Sequence, residues 1–300
     1  MLRVGIVDCD TSHVVAFTQR LNHIGIAEDQ WVDGARVVAA VPGTSEIFPD
    51  RLPGFVQQLR DLGVEILDNP VDILGSVDAV LVESNEGGVH LDRAMPFLKA
   101  GLPVFIDKPF TTSTADARRL VETAAANGVS LLSASALRYA SEIQEVQSRA
   151  NDIGPILGVD TCTPCSLHPR NPGLFHYGVH GVEMLFALMG TGCVGVRTIW
   201  QEGAEVVVGR WADGRLGTVR GTRKGVYAFA FTAFAEKAVL QKSVDGRYFY
   251  RELCKHIVES LSNRTWPVAP TELVEVVAFQ EAALRSQERD GSEVLLSSLL

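Results

Sequence analysis

Six short apolar runs punctuate the first half of the chain: Val4–Val7, Val37–Val41, Val64–Leu67, Ala79–Val82, Val104–Ile106 and Val129–Leu132. None alternates with polar residues, which is the pattern of strands buried on both faces. The segments between them carry helical spacing. Val14, Phe17, Leu21 and Ile24 share one side. So do Leu91, Ala94, Met95 and Leu98 before Gly101, and Ala117, Leu120, Val121, Ala124 and Ala125 before Gly128. Ser113 and Asp116 have the spacing of a capping box at the start of the last of these. Strand–helix alternation of this kind predicts an α/β fold with a doubly wound parallel sheet and ligands at the carboxyl ends of its strands.

After about residue 150 the pattern changes. A strand at Leu157–Cys162 and a helix near Phe175–Met189 are followed by strands without helices between them. Val206–Trp211 and Arg215–Arg220 flank an Asp213-Gly214 hairpin signal. The segment 226–234 places Tyr227, Phe229 and Phe231 at period two. Two helices, 247–262 and 270–288, close the chain. The expectation is a domain of residues 1–135 followed by one of 136–300 built on an open, mostly antiparallel sheet. Its aromatics, with Trp200 and Trp211 nearby, call for cover on both faces and predict a homo-oligomer through this sheet.

Composition narrows the partners. A net charge of -9 and scattered Lys and Arg lack the basic footprint of a nucleic-acid binder, so a small-molecule substrate is expected. Five cysteines in 300 residues do not suggest a disulfide framework. The opening MLRVGIVDCD has an apolar run too short for a signal peptide, and no stretch approaches a membrane span. A cytoplasmic protein without membrane contact is the expectation.

Several blocks, in order and spacing, resemble the Gfo/Idh/MocA oxidoreductases: VDAVLVES, then His90, then LKAGLPVFIDKPF, ARRLVETAAANGVSLLSASALRY, GLFHYGVHGVEMLFALMG and PTELVEVVAFQEAALRSQERDGSEV. The resemblance implies an N-terminal Rossmann domain, a C-terminal α/β domain whose open sheet mediates dimers or tetramers, and oxidation or reduction of sugars and polyols with NAD or NADP. Asp107-Lys108-Pro109 looks like the family's Glu-Lys-Pro signature, so Lys108 matches its catalytic lysine; an ammonium there stabilises a developing alkoxide. His176-Tyr177-Gly178-Val179-His180 overlies Asp-x-Gly-x-His. His180 thereby matches the proton-accepting histidine, and His176 stands where an aspartate is usual. Glu83, Ser84, Asn85, Asp107 and Lys108 are implied around the nicotinamide half of the cofactor. Arg138, Cys165 and His168 join Lys108, His176 and His180 as candidates for substrate contact.

The departure lies in the turn after the first strand. A dinucleotide fingerprint needs glycines where the backbone meets the pyrophosphate, and this chain has Asp8, Asp10 and His13 instead. Pro42-Gly43 stands where an acidic ribose ligand is expected. Two carboxylates beside a diphosphate repel it unless they turn away or are neutralised. Asp10, Thr11 and Ser12 read as helix caps that take the free amides; if so, cofactor binding is weak or lost. Two alternatives to a dehydrogenase follow: a metal-assisted lyase or hydrolase on a similar substrate, and a non-catalytic ligand sensor. His176, His180 and Glu183 at i, i+4 and i+7 have the spacing of metal ligands. In CTPCSLH, Cys162 and Cys165 read most simply as small buried residues on opposite strand faces. No metal is assigned from these patterns.

Overall fold

The first apolar run forms β1 (Leu2–Val7), and the polar turn after it leads into α1 (His13–Asn22). The computed structural model describes residues 1–300. Continuing along the chain are β2 (Ala35–Val41), α2 (Leu52–Asp61), β3 (Glu65–Ile66), β4 (Ala79–Val82), α3 (His90–Lys99), β5 (Val104–Ile106), α4 (Thr114–Ala126) and β6 (Leu131–Leu132). The strands pair in parallel in the order β3-β2-β1-β4-β5-β6. This is the doubly wound sheet that the alternation predicts. The order reverses between β1 and β4, so the turns leaving those two strands open the crevice where such sheets bind ligands. Ile6, Leu81, Phe17 and Phe105 are fully buried beneath it, each contributing ~1.5–3 kcal/mol of burial.

The second half holds α5 (Ser141–Ser148), α6 (Ala150–Ile153), β7 (Ile156–Pro164), α7 (Val179–Met189), β8 (Cys193–Gln201), β9 (Ala204–Trp211), β10 (Leu216–Thr222), β11 (Ala230–Ala235), β12 (Val239–Ser243), α8 (Phe249–Asn263), α9 (Pro270–Gln287) and β13 (Val294–Leu295). Its seven-stranded sheet runs β12-β11-β7-β10-β9-β8-β13, antiparallel except for the parallel pair β7 and β10. One face is core. Val159, Val207, Val219, Phe231 and Trp211 are buried there with Phe186 of α7 and Phe279 of α9. The opposite face keeps Ile199, Leu216 and Phe234 exposed among Asp160, Arg197, Arg210 and Arg220.

Three expectations are corrected. The chain divides into a first unit of Met1–Thr111, Asp116–Ala134 and Tyr250–Pro270, and a second of Thr112–Ala115, Ser135–Phe249 and Thr271–Leu300. Residues 250–270 therefore belong to the first unit, not to a block 136–300. The reason is local: Ser130 Oγ donates to Ser260 O at 2.8 Å, and the Tyr250 ring meets His13 and Phe17. The aromatic run at 226–234 is a strand only from Ala230. Tyr227 and Phe229 precede it, while Phe231 and Trp211 face the core. The aromatics thus do not form the open sheet face that their spacing suggested.

Candidate functional site

In the first unit the site grows from the ends of β1, β4 and β5. Asp8 keeps the left-handed backbone of the glycine it replaces, with φ 63°, a conformation that Asp tolerates better than most residues. Gly43, itself at φ 66°, leaves the room: a Cβ there would fall on the Asp8 carboxylate. Asp8 Oδ2 accepts the Ser84 hydroxyl at 2.5 Å and pairs with Arg93 Nε at 2.8 Å. The Asp10 carboxylate accepts the Asn85 amide at 2.8 Å and the Ser45 hydroxyl at 2.6 Å. Burial holds its pKa above the ordinary value. Asn85 Nδ2 donates in turn to Asp10 O at 2.7 Å.

These contacts correct the capping expectation. Ser12, the residue before α1, makes no side-chain capping bond, and Asp10 bonds to Ser45 and Asn85 instead. Only the Thr11 hydroxyl reaches an amide, that of His13 at 3.4 Å. They also supply the cation that the turn itself lacks, because Arg93 arrives from α3 to neutralise Asp8. The N-terminus of α1 is therefore left to an external anion. A dinucleotide can thus meet the helix N-terminus without glycines, although Asp10, bonded only by Ser45 and Asn85, still sets a carboxylate beside it.

Beneath this lies a buried ionisable cluster. His13 Nδ1 is 2.8 Å from Asp107 Oδ2, and the Lys108 amide donates to Asp107 Oδ1 at 2.8 Å. Lys108 Nζ stands 3.9 Å from Asp107 Oδ2, with Lys108 only 8% exposed. Burial pushes the Asp107 carboxyl up, but His13 and Lys108 outweigh it and hold the group below the usual carboxylate range. Glu83 is fully buried, and neither carboxylate oxygen has a hydrogen-bond partner. Burial, then the neighbouring Asp107, raises its pKa well above 4.5. His90 is fixed by the carbonyls of Ser84, Pro109 and Phe110 at 2.9–3.0 Å, which ties the ends of β4 and β5 together.

In the second unit His180 sits in the first turn of α7, its Nδ1 2.7 Å from Ser135 Oγ. In the tautomer that donates Nδ1–H to Ser135, Nε2 is the ring's acceptor nitrogen. No local motif marks Ser135, 45 residues away. Aromatic rings adjoin one another from His168 through His176, Tyr177 and His180, with centroids 5.2–5.6 Å apart; Tyr227 and Phe229 extend the chain. Glu183 does not join the histidines. Its Oε2 takes Arg138 Nε at 2.6 Å, and Arg138 Nη1 also bonds Glu272 Oε1 at 2.6 Å. Arg138 is thus a buried clamp between α7 and α9. Cys165 donates to Glu205 at 3.2 Å, and burial pushes its thiol pKa up, so it is an inert thiol. All five cysteines are free. Neither the cysteines nor His176 and His180 with Glu183 form a set of three metal donors.

Residues 44–135 match the model of the oxidoreductase family with an NAD-binding Rossmann fold, Gfo/Idh/MocA. The match begins beyond the atypical turn. In sequence the chain is 30% identical over 149 residues to inositol 2-dehydrogenase 3 of Saccharopolyspora erythraea, covering 48% of this chain and 41% of that relative. The chain thus spans less than half the length of the sequence relatives it matches. The fold agrees throughout with a probable dehydrogenase from Thermotoga maritima, at TM-score 0.81, 20% identity and 100% of both chains. It agrees also with myo-inositol dehydrogenase from Lactobacillus casei, solved with NAD(H) and myo-inositol, at TM-score 0.78, 16% identity, 98% of this chain and 96% of that one. The match to the Gfo/Idh/MocA oxidoreductase family thus lies over residues 44–135, and the fold is shared with these solved structures along the whole chain.

Proposed function

We propose that the protein is an NAD(P)-dependent oxidoreductase acting on a cyclitol, sugar or related polyol. The observation that carries this reading is Lys108: a buried ammonium at the carboxyl edge of a doubly wound sheet, beside the crevice at the switch point, held through Asp107 and His13. The inositol dehydrogenases among the relatives and neighbours support the substrate class. The α1 amides would hold the cofactor's diphosphate, with Thr11, Ser12, Ser84 and Asn85 at the same strand ends. When bound, the nicotinamide supplies the hydride acceptor or donor.

The chain's own residues provide the rest. Lys108 stabilises negative charge on a reacting hydroxyl oxygen. His180 accepts the hydroxyl proton at Nε2 while Ser135 holds its other nitrogen. His176, Tyr177, Tyr227 and Phe229 offer apolar ring faces and polar tips next to His180, a lining suited to a ring that is apolar on its faces and hydroxylated at its rim. The exposed sheet face supports a homo-oligomer. The metal-dependent and sensor alternatives are not favoured, since the sequence relatives are dehydrogenases. Assay of the reduced nicotinamide by absorbance across a panel of cyclitols and sugars tests the reading. Lys108→Ala and His180→Ala are each expected to lower kcat by ~10²–10⁴-fold with folding intact. Unchanged turnover in both, or no turnover on any polyol by the wild type with either dinucleotide, overturns it.

A further inference from the structure

The first unit also holds a buried donor set, two of whose members, His13 and Asp107, hold Lys108 in the proposed dehydrogenase site. We propose that His13, Glu83 and Asp107 form a binding site for one divalent transition-metal ion. One ligand atom from each lies within 4.8 Å of the others, and all three residues are buried.

Glu83 carries the argument. A carboxylate wholly removed from water is costly unless it is paired, yet both Glu83 oxygens lack a hydrogen-bond partner. A proton would neutralise the charge but leave the acceptor oxygens unpaired. A cation answers both needs. Two carboxylates and a neutral imidazole offer two negative charges to a divalent ion, and Lys108, 3.9 Å from Asp107 and also favouring ionised Glu83, offsets part of that charge.

The geometry is close to what such an ion requires. His13 Nδ1 and Asp107 Oδ2, hydrogen-bonded at 2.8 Å, need to part by only about half an ångström to share a tetrahedral ion. A rotation of the Glu83 carboxylate, which no hydrogen bond opposes, brings in the third donor. The surroundings fix the other two ligands as metal sites require. The His13 ring stacks on Phe17 at 5.1 Å and meets the Tyr250 edge at 5.1 Å, while Asp107 Oδ1 is held by the Lys108 amide. One nitrogen and two oxygens favour a borderline or hard ion such as Zn²⁺ or Mn²⁺ over a thiophilic one. Three protein donors leave an open position.

The site stands independently of dinucleotide binding and is tested without turnover. Chelator-treated protein is titrated calorimetrically with Zn²⁺ and separately with Mn²⁺, and the stoichiometry is checked by elemental analysis after desalting. One equivalent per chain is expected for at least one of the two ions, with affinity lowered at least ~100-fold in Glu83→Gln and in His13→Gln. Absence of saturable uptake of either ion overturns the site, as does binding that survives both substitutions, which would place the ion elsewhere, for instance at His176 or His180. If a variant fails to fold by circular dichroism, the wild-type stoichiometry and the other variant decide.

Discussion

Asp8 and Asp10 occupy glycine positions of a dinucleotide turn, and their neighbours decide what that substitution means. Asp8 is neutralised by Arg93, 85 residues away, and turned onto Gly43. Asp10 has only the neutral donors Ser45 and Asn85. The repulsion a diphosphate meets therefore comes chiefly from Asp10. Asp10→Gly is expected to tighten NAD⁺ binding several-fold, and the gain should shrink as salt screens the charge. Calorimetry at two ionic strengths checks this; an equal gain at both would assign the effect to shape instead. The sequence marked these positions but not their partners, because contacts such as His13 to Asp107 and Ser135 to His180 close over 94 and 45 residues. Nothing local encodes them. Lys108 and His180 could be singled out from the sequence because each lies in a block that resembles a family motif.

Elements were legible where burial imposes one pattern. Strands β4 and β5, and β1 and β2 beyond Arg3 and Arg36, are buried on both faces and read as apolar runs. β8, by contrast, mixes Gly195, Arg197 and Thr198 into CVGVRTIWQ, and β12 is half exposed, so neither stands out. Helix α7 was readable as a helix, but its anchoring was not. The clamp from Arg138 to Glu183 and Glu272 joins residues from three separated segments, all largely buried. Burial raises the Glu183 pKa despite Arg138, the mark of a pair that is costly to break. Arg138→Met should lower the unfolding free energy by ~3–5 kcal/mol, since two carboxylates lose their counter-ion. Adding Glu183→Gln and Glu272→Gln should restore much of it. Urea melts of the single and triple variants measure both; a triple variant no more stable than the single would show that the clamp acts through packing alone.

Across the whole molecule, the second unit's sheet presents one core face and one open face. Leu216 and Phe234 both stand in register with Gly158, which has no side chain to separate them. Asp substituted at both positions leaves the core untouched and is expected to turn an oligomer into a monomer in sedimentation analysis. A wild type already monomeric at high concentration would remove the sheet as an interface. No helix is long and apolar enough to cross a membrane. The return of residues 250–270 to the first unit bears on how the protein is made. A ribosome emits β1 to β6 early, but Tyr250, which meets His13 and Phe17, emerges only after the whole span 135–249. The nascent first unit must therefore wait, with part of its apolar surface uncovered, while more than a hundred later residues are translated. A fragment of residues 1–135 should accordingly melt without a sharp transition and bind a dye for exposed apolar surface. A cooperative melt of that fragment would show that α8 is dispensable. The chain's order of synthesis is not the order in which its units can be finished.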